Sequence, residues 1–478
     1  MLLNKSVASF RRSSLALACA SVILSTPVLA DNGGLTGRVT DASNTVYFEG
    51  ARIEIKELGL TAISARDGSF RFGQLPEGTY TLVIHYLGTQ PSEQRVVIKN
   101  GQYVDRLYSI GEQGRPLENV IVHGQRAGQA GALNRQKNAS QLKSIVSADD
   151  IGQLPDQNAA EALQRLPGLF IQRDQGEGRF VGIRGIDPNL NNVTINGVNV
   201  PSPEAGVRSV AMDVIPSELI QSLEVSKSVT PDMDASAVGG SIEVKSLSAF
   251  DRQGESYSLT GQASYNELVE ETSPKLSGSY SNIYDLTGGY QIGIATALSW
   301  FEREFGSHNI ETDGGWAERE FEHAETGEDI DVFSAEEIEQ RHYLITRERL
   351  GAAVNFDLVT PNNNKYYLRT LYSQFSDDEY RLRNEYKYDK GAILMDEFTG
   401  NSAVFVDAEM DRDTKDRYEE QEILSIVAGG ENQLSDWFVE YNFGYSHSSE
   451  KEPNRIDADF AGEGLTLGYG STSNAPRL

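Results

Sequence analysis

Few residues in this 478-residue chain are spaced for covalent chemistry. No serine, cysteine or lysine nucleophile sits in a pattern that supplies a neighbouring base, and the histidines do not cluster at metal-ligand spacing. His123 has no second histidine nearby and reads as a solvated loop residue rather than a ligand. The only cysteine, Cys19, lies in the leader described below, so no disulfide or thiolate chemistry is available. What remains is noncovalent recognition. Arg165, Arg173 and Arg184 resemble anion binders but are read as buried ion-pair partners, which are costly to break. The stretch from Arg303 to Arg341 carries thirteen Asp or Glu against three Lys or Arg, with Trp316 in its middle. Carboxylates accept sugar hydroxyls, and Trp316, Phe333 and Tyr343 offer ring faces for C–H stacking. The alternative is a merely solvated loop in which the tryptophan packs locally. Neither reading is catalytic, and no enzyme activity, cofactor or metal is expected.

These side chains need a scaffold, and the stretch Arg179–Val200 is its centre. Val181-Gly182-Ile183 reads as a short buried strand running into Arg184-Gly185. Val193-Thr194-Ile195 and Val198-Asn199-Val200 are two further apolar runs, separated by Asn196-Gly197, the strongest short hairpin signal in a sequence. A second marker, with Gly239-Gly240 before Ser-Ile-Glu-Val, follows about forty residues on. Glycines such as Gly185, Gly239 and Gly240 fit tight turns and close backbone approach.

Around this centre, Ser147 can cap a helical turn and Asp156 a helix from Gln157 to Leu166, which Pro167-Gly168 stops. Leu169-Phe170-Ile171 reads as a strand, Gly176 to Gly178 as a flexible loop, and Pro216 onward as a short helix before the strand Ser222–Lys227. Ile242–Lys245 closes the unit. Taken together, QNAAEALQRLPGLFIQRD, VGIRGID, TINGV and PSELIQSLEVSKSVTPDMDASAVGG resemble the plug domain of TonB-dependent outer-membrane receptors. The match covers about a hundred residues and is similar to the members that import polysaccharide fragments. The resemblance implies a mixed α/β plug seated in a β-barrel. It also implies that plug arginines and acids pair with charges on the inner barrel wall.

The remaining sequence is read against that expectation. Met1–Ala30, with Lys5, Arg11 and Arg12 before a short apolar core, is a secretory signal peptide. Its removal takes the net charge from −28 to −31, which argues against nucleic-acid binding. From Leu35 to Ile110, short alternating strands divided by Asp67-Gly68 and Glu77-Gly78 turns indicate an all-β sandwich. GRVTD, DGSFRF and LPEGTYTL resemble the carboxypeptidase regulatory-like domain, a transthyretin-like fold often labelled carbohydrate-binding-like. A spacer role is the plain reading. Tyr80, Tyr86 and Tyr103 are half-buried strand residues or, alternatively, a sugar-stacking face. Next, Glu118-Asn119-Val120-Ile121-Val122 is a β-prone run between flexible stretches, one of them starting at His123. It can add as an edge strand to another protein's sheet. Its place and pattern resemble the TonB box, and the other reading is a last sandwich or first plug strand.

After Ala249, several long runs keep one parity apolar with terminal Tyr and Trp. Leu350, Ala352, Val354, Phe356 and Leu358 oppose Arg349, Asn355 and Asp357. This is the transmembrane-barrel pattern, lipid outside and plug or water inside. Thr360–Asn364 reads as a periplasmic turn, and Arg303–Arg341 as an extracellular loop. Plugged transporters have about 22 strands, which needs roughly 550 residues. Residues 249–478 supply 230, enough for eight to ten strands. The chain is therefore read as the N-terminal part of a receptor.

The expected fold is mainly β, with a signal peptide (1–30), a sandwich (31–110), a linker with the TonB box (111–140), a plug (141–248) and a partial barrel (249–478). The expected function is TonB-energised import across the outer membrane, with the N-terminal domain and box in the periplasm. The loop's net negative charge disfavours an anionic ferric chelate, so an oligosaccharide is the expected ligand. A ferric siderophore receptor and a surface adhesin or biogenesis protein are the alternatives.

Overall fold

A computed structural model describes residues 33–477 apart from 42–45, 100, 112–122, 152–155, 157, 232, 252–253, 435–436 and 473–474. The leader and Glu118–Val122 thus lie outside the described residues.

The first unit is a sandwich of two sheets. Strands β1 (Gly33–Thr40), β4 (Ser69–Leu75) and β7 (Tyr103–Ser109) form one, in the order β4-β1-β7. Strands β2 (Arg52–Ile55), β3 (Leu60–Ile63), β5 (Gly78–His85) and β6 (Ser92–Ile98) form the other, in the order β3-β2-β5-β6. Inward residues such as Leu35, Ile53, Leu82 and Ile84 are fully buried between them. The Asp67-Gly68 turn forms as read: Asp67 accepts from the Ser69 N–H at 3.1 Å, and Gly68 has φ +72°. β3 and β7 escape a pattern search because most of their side chains face solvent. Tyr80 and Tyr86 are buried rather than half-buried, while Tyr103 is exposed.

The stretch from His123, read as flexible, is helical instead: α1 spans His123–Asn138. Its hydrophobic periodicity is weak, and tertiary packing holds it. Ala132 and Asn134 are buried, and Asn134 accepts from the Leu87 N–H at 3.1 Å.

The second unit is built on a five-stranded sheet, order β12-β11-β14-β13-β8. Its members are β8 (Lys143–Ser147), β11 (Asn191–Ile195), β12 (Val198–Asn199), β13 (Ile220–Ser226) and β14 (Gly240–Ser246). Asn196 (φ +50°) and Gly197 (φ +81°) form the expected turn between β11 and β12. The helix is shorter than expected, Ala159–Leu163, and Asn158 caps it instead of Asp156, accepting from the Glu161 N–H at 3.0 Å. A hairpin of β9 (Leu169–Asp174) and β10 (Glu177–Ile183) replaces the expected flexible loop, with Gln175 and Gly176 turning at positive φ.

The wall is an antiparallel sheet of seven long strands. They are β15 (Ser256–Asn266), β16 (Glu271–Asp285), β17 (Gln291–Glu311), β20 (Glu337–Val359), β21 (Lys365–Lys387), β23 (Ser402–Leu434) and β24 (Trp437–Thr472). The short β22 (Ala392–Ile393) and β25 (Ala475–Arg477) pair at its far end. Parity holds as read. Leu350, Val354 and Phe356 face outward, while Arg349, Asn355 and Asp357 are buried on the inner face. Plug and wall share one apolar core, in which Leu163, Ile183, Val214 and Leu219 meet Ala297, Leu371, Phe375 and Ile423.

The Arg303–Arg341 stretch is not a single loop. β17 and β20 extend into it, and a hairpin of β18 (Ala317–Glu322) and β19 (Asp329–Ser334) folds between them. Cross-strand pairing relieves part of the acidity that suggested a solvated loop: Arg341 bonds Glu311 at 2.8 Å and also pairs with Glu339. Phe321, Val332, Tyr388, Phe405 and Tyr469 give this end of the wall an apolar core of its own.

Candidate functional site

The site forms where the β9–β10 hairpin meets the inner wall. The Gln175-Gly176 turn directs Glu177 at β20, where alternation puts Arg347 and Arg349 on the same inner face. Arg303 of β17 lies opposite Arg347 in register and joins them. Glu177 receives Arg347 at 2.9 Å and Arg349 at 2.5 Å. Both guanidiniums are essentially inaccessible, and both lie near the Phe375 ring, Arg349 at 4.9 Å. Arg347 also reaches Asp377 at 2.9 Å and Asp174 at 3.2 Å, and Arg349 donates to the Asp213 carbonyl at 2.9 Å. Burial alone would raise the Glu177 pKa; the three arginines override it and hold the carboxyl far below the usual range.

Above this cluster lies a cavity of about 620 Å³ between plug and wall, lined by six basic and six acidic side chains. Most of the cations are already committed. Arg179 pairs with Glu204 at 3.0 Å and Asp213 at 3.3 Å. Arg417 pairs with Glu419 at 2.9 Å and Asp377 at 3.1 Å, and Lys415 with Glu379 at 3.1 Å. Ala205 donates its N–H to Glu450 at 2.9 Å, tying the plug's 201–209 loop to β24. Such a lining is strongly polar but nearly neutral. It suits a ligand rich in hydroxyls better than one carrying several charges of one sign.

The residues singled out from sequence fall in different places. Tyr343 lines the cavity. Trp316 and Phe333 do not: Trp316 packs edge-on against Tyr469 at 4.8 Å, and Phe333 is exposed on β19. Arg165 and Arg173 pair within the plug, with Asp156 at 2.5 Å and Glu161 at 2.8 Å, not with the wall as expected. Both sit beside the same short helix, Ala159–Leu163, within reach of a nearer acid. Arg184 (φ +54°) and Gly185 (φ +78°) shape a turn, and Arg184 has no ion pair among the described residues. Gly239 and Gly240 enter β14 against Asn191. The expected pairing of plug acids with the wall does form, through Glu177 and the wall arginines, although no residue was named for it from sequence. The Arg347-x-Arg349 repeat on one parity of an amphipathic strand was its available signal. Among the described residues one acidic trio, Glu337, Glu339 and Glu385, has metal-like spacing, but Arg341 and Arg383 already pair with Glu339.

Residues 135–241 match the TonB-dependent receptor plug domain, and residues 34–107 the carboxypeptidase regulatory-like domain. The chain is 26% identical over 187 residues to a vitamin B12 transporter of Vibrio vulnificus (strain YJ016), covering 36% of this chain and 30% of that protein. Among solved structures it is similar to the unliganded ferric citrate transporter FecA (12% identity, TM-score 0.29, 72% of this chain and 62% of that one). The siderophore receptor PirA from Acinetobacter baumannii is another (11% identity, TM-score 0.30, 72% and 60%). The matched part of the chain thus spans under a third of the length of this curated relative.

Proposed function

We infer that this chain, which carries the plug domain of a TonB-dependent receptor behind a carboxypeptidase regulatory-like domain, serves active import across the outer membrane. The observation that carries the reading is the plug itself, packed and ion-paired onto the inner face of a wall whose other face is apolar. Ligand binds in the cavity above Glu177, and TonB pulls from the periplasm on residues 118–122. Backbone pairing would supply the grip. In the full-length receptor, Val120→Pro or Ile121→Pro removes a donor from that pairing strand. Uptake is expected to fall to background while surface binding of ligand stays near normal; two variants that both transport at the parental rate would place the handle elsewhere.

We assign the ligand to the oligosaccharides. The cavity's balanced charge and its pre-paired cations leave no net positive field for an anionic ferric chelate, while its carboxylates accept hydroxyls. A deletion strain is expected to lose growth on particular oligosaccharides and to keep siderophore-supplied growth under iron limitation. The reverse pattern would establish the ferric siderophore alternative.

A further inference from the structure

The N-terminal sandwich does not hang free of the plug. Its Asp67-Gly68 corner is set into the mouth of the plug–wall unit. Arg66 donates to the Ser246 carbonyl at 2.9 Å and forks onto Asp251, with Nη2 to Oδ2 at 2.6 Å. Ser246 ends the last plug strand, and Asp251 lies just before the first wall strand. Asp67 takes Lys365 of the wall at 2.9 Å, and Ser69 takes the same ammonium at 3.0 Å. Arg38 reaches Gln291 at the foot of β17 at 3.3 Å. Behind this corner, Arg135 of α1 lies between Glu49 of the sandwich (3.6 Å) and Glu224 of the plug (2.7 Å).

The bonds across this interface are charged or polar, and that sets it apart. Plug and wall residues mix in one apolar core. The sandwich has a separate core, to which only Ala130 of α1 adds from outside it. A docking face that lacks a shared apolar core, and whose buried charges regain water when it opens, separates at lower cost than one held by buried hydrocarbon. The Asp67 pair nevertheless stays charged at neutral pH. Burial alone would raise the Asp67 pKa, but Lys365 and Arg38 hold it at about 2.

We propose that the sandwich is a releasable ionic latch: it clamps the joint between plug and wall (246–251) and leaves as one body when the plug must move. The proposal rests on the reading above only for which compartment the mouth faces.

The test measures docking, not transport, so its failure and that of the import reading are distinguishable. In the full chain with Cys19→Ser, nitroxides are placed at Glu77→Cys of the sandwich and Asn362→Cys of the wall turn, both exposed. Pulsed electron–electron resonance is expected to give one narrow distance at low ionic strength. It should be replaced by a broad, longer distribution in ~1 M salt, where the screening length falls to ~3 Å. Arg66→Ala/Lys365→Ala is expected to be broad at every salt concentration. A second pair within the sandwich, Leu58→Cys and Glu77→Cys, should stay narrow throughout, showing that the sandwich remains folded. A narrow sandwich–wall distance that survives both high salt and the double substitution would overturn the ionic latch. A broad distance in the parent at low salt would overturn docking itself.

Discussion

Glu177→Ala is expected to destabilise the seated plug by about 3–5 kcal/mol, the usual cost of removing one partner from a buried ion cluster. Two inaccessible guanidiniums, Arg347 and Arg349, would lose the carboxylate they share; Arg347 would keep Asp377 and Asp174, and Arg349 would be left with the Asp213 carbonyl. Hydrogen exchange followed by mass spectrometry should show β9 and β10 losing protection while the outward rows of β20 keep theirs. Unchanged exchange in the hairpin would show that the cluster does not hold the plug. The same carboxylate makes seating acid-sensitive. Its folded pKa is depressed well below the ordinary glutamate value, so its contribution is complete above that ordinary value. The contribution is lost as pH falls toward the folded value. Glu177→Gln should remove this acid-sensitive component while preserving shape.

The second large effect is expected at Gly240, where β14 begins beside β11. Its φ of +145° is closed to other residues, and a Cβ there would sit 2.6 Å from the Ser226 carbonyl and 2.8 Å from Ile183. The carbonyl belongs to a paired strand and cannot yield. Gly240→Val should therefore cost roughly 3 kcal/mol or more, combining backbone strain with overpacking. Gly73→Ala is the matched control: nothing lies within 4 Å of its Cβ position, and no positive φ is recorded there. Thermal unfolding of the two variants should differ widely. Equal midpoints would mean that the β11–β14 junction does not limit plug stability.

Where a local rule decided the structure, the sequence was readable. Asn196-Gly197 announced its turn because only small or amide residues tolerate two positive φ values in succession. Wall parity was equally open, since an apolar outward face and a plug-facing polar row leave a strict two-residue period at Leu350–Leu358. Elements fixed by distant partners were hidden. β8 has a short apolar centre, Ile145-Val146, and gains its place only by pairing with β13 nearly eighty residues later. α1 has almost no apolar stripe and is fixed through Asn134 and Arg135. The Arg303–Arg341 acids suggested solvent because their cations lie on neighbouring strands. The cavity shared that fate: Glu177 sits in a glycine-flanked run, and nothing local points to arginines 170 and 172 residues away.

The last two long strands bear on how such a molecule stands on a cell. β23 and β24 run 33 and 36 residues. At ~3.4 Å per residue and a tilt of ~40°, the longer one rises roughly 90 Å, against an apolar band of about 25 Å. Set in an outer membrane, most of its height is a parapet beyond the lipid. The cavity at Tyr343 and Glu379 lies about 40 Å up by the same measure, some 15 Å outside the hydrocarbon. β15 and β16, at 11 and 15 residues, end far lower, so in such a setting β23 and β24 form a one-sided palisade that an arriving solute passes before it reaches the cavity.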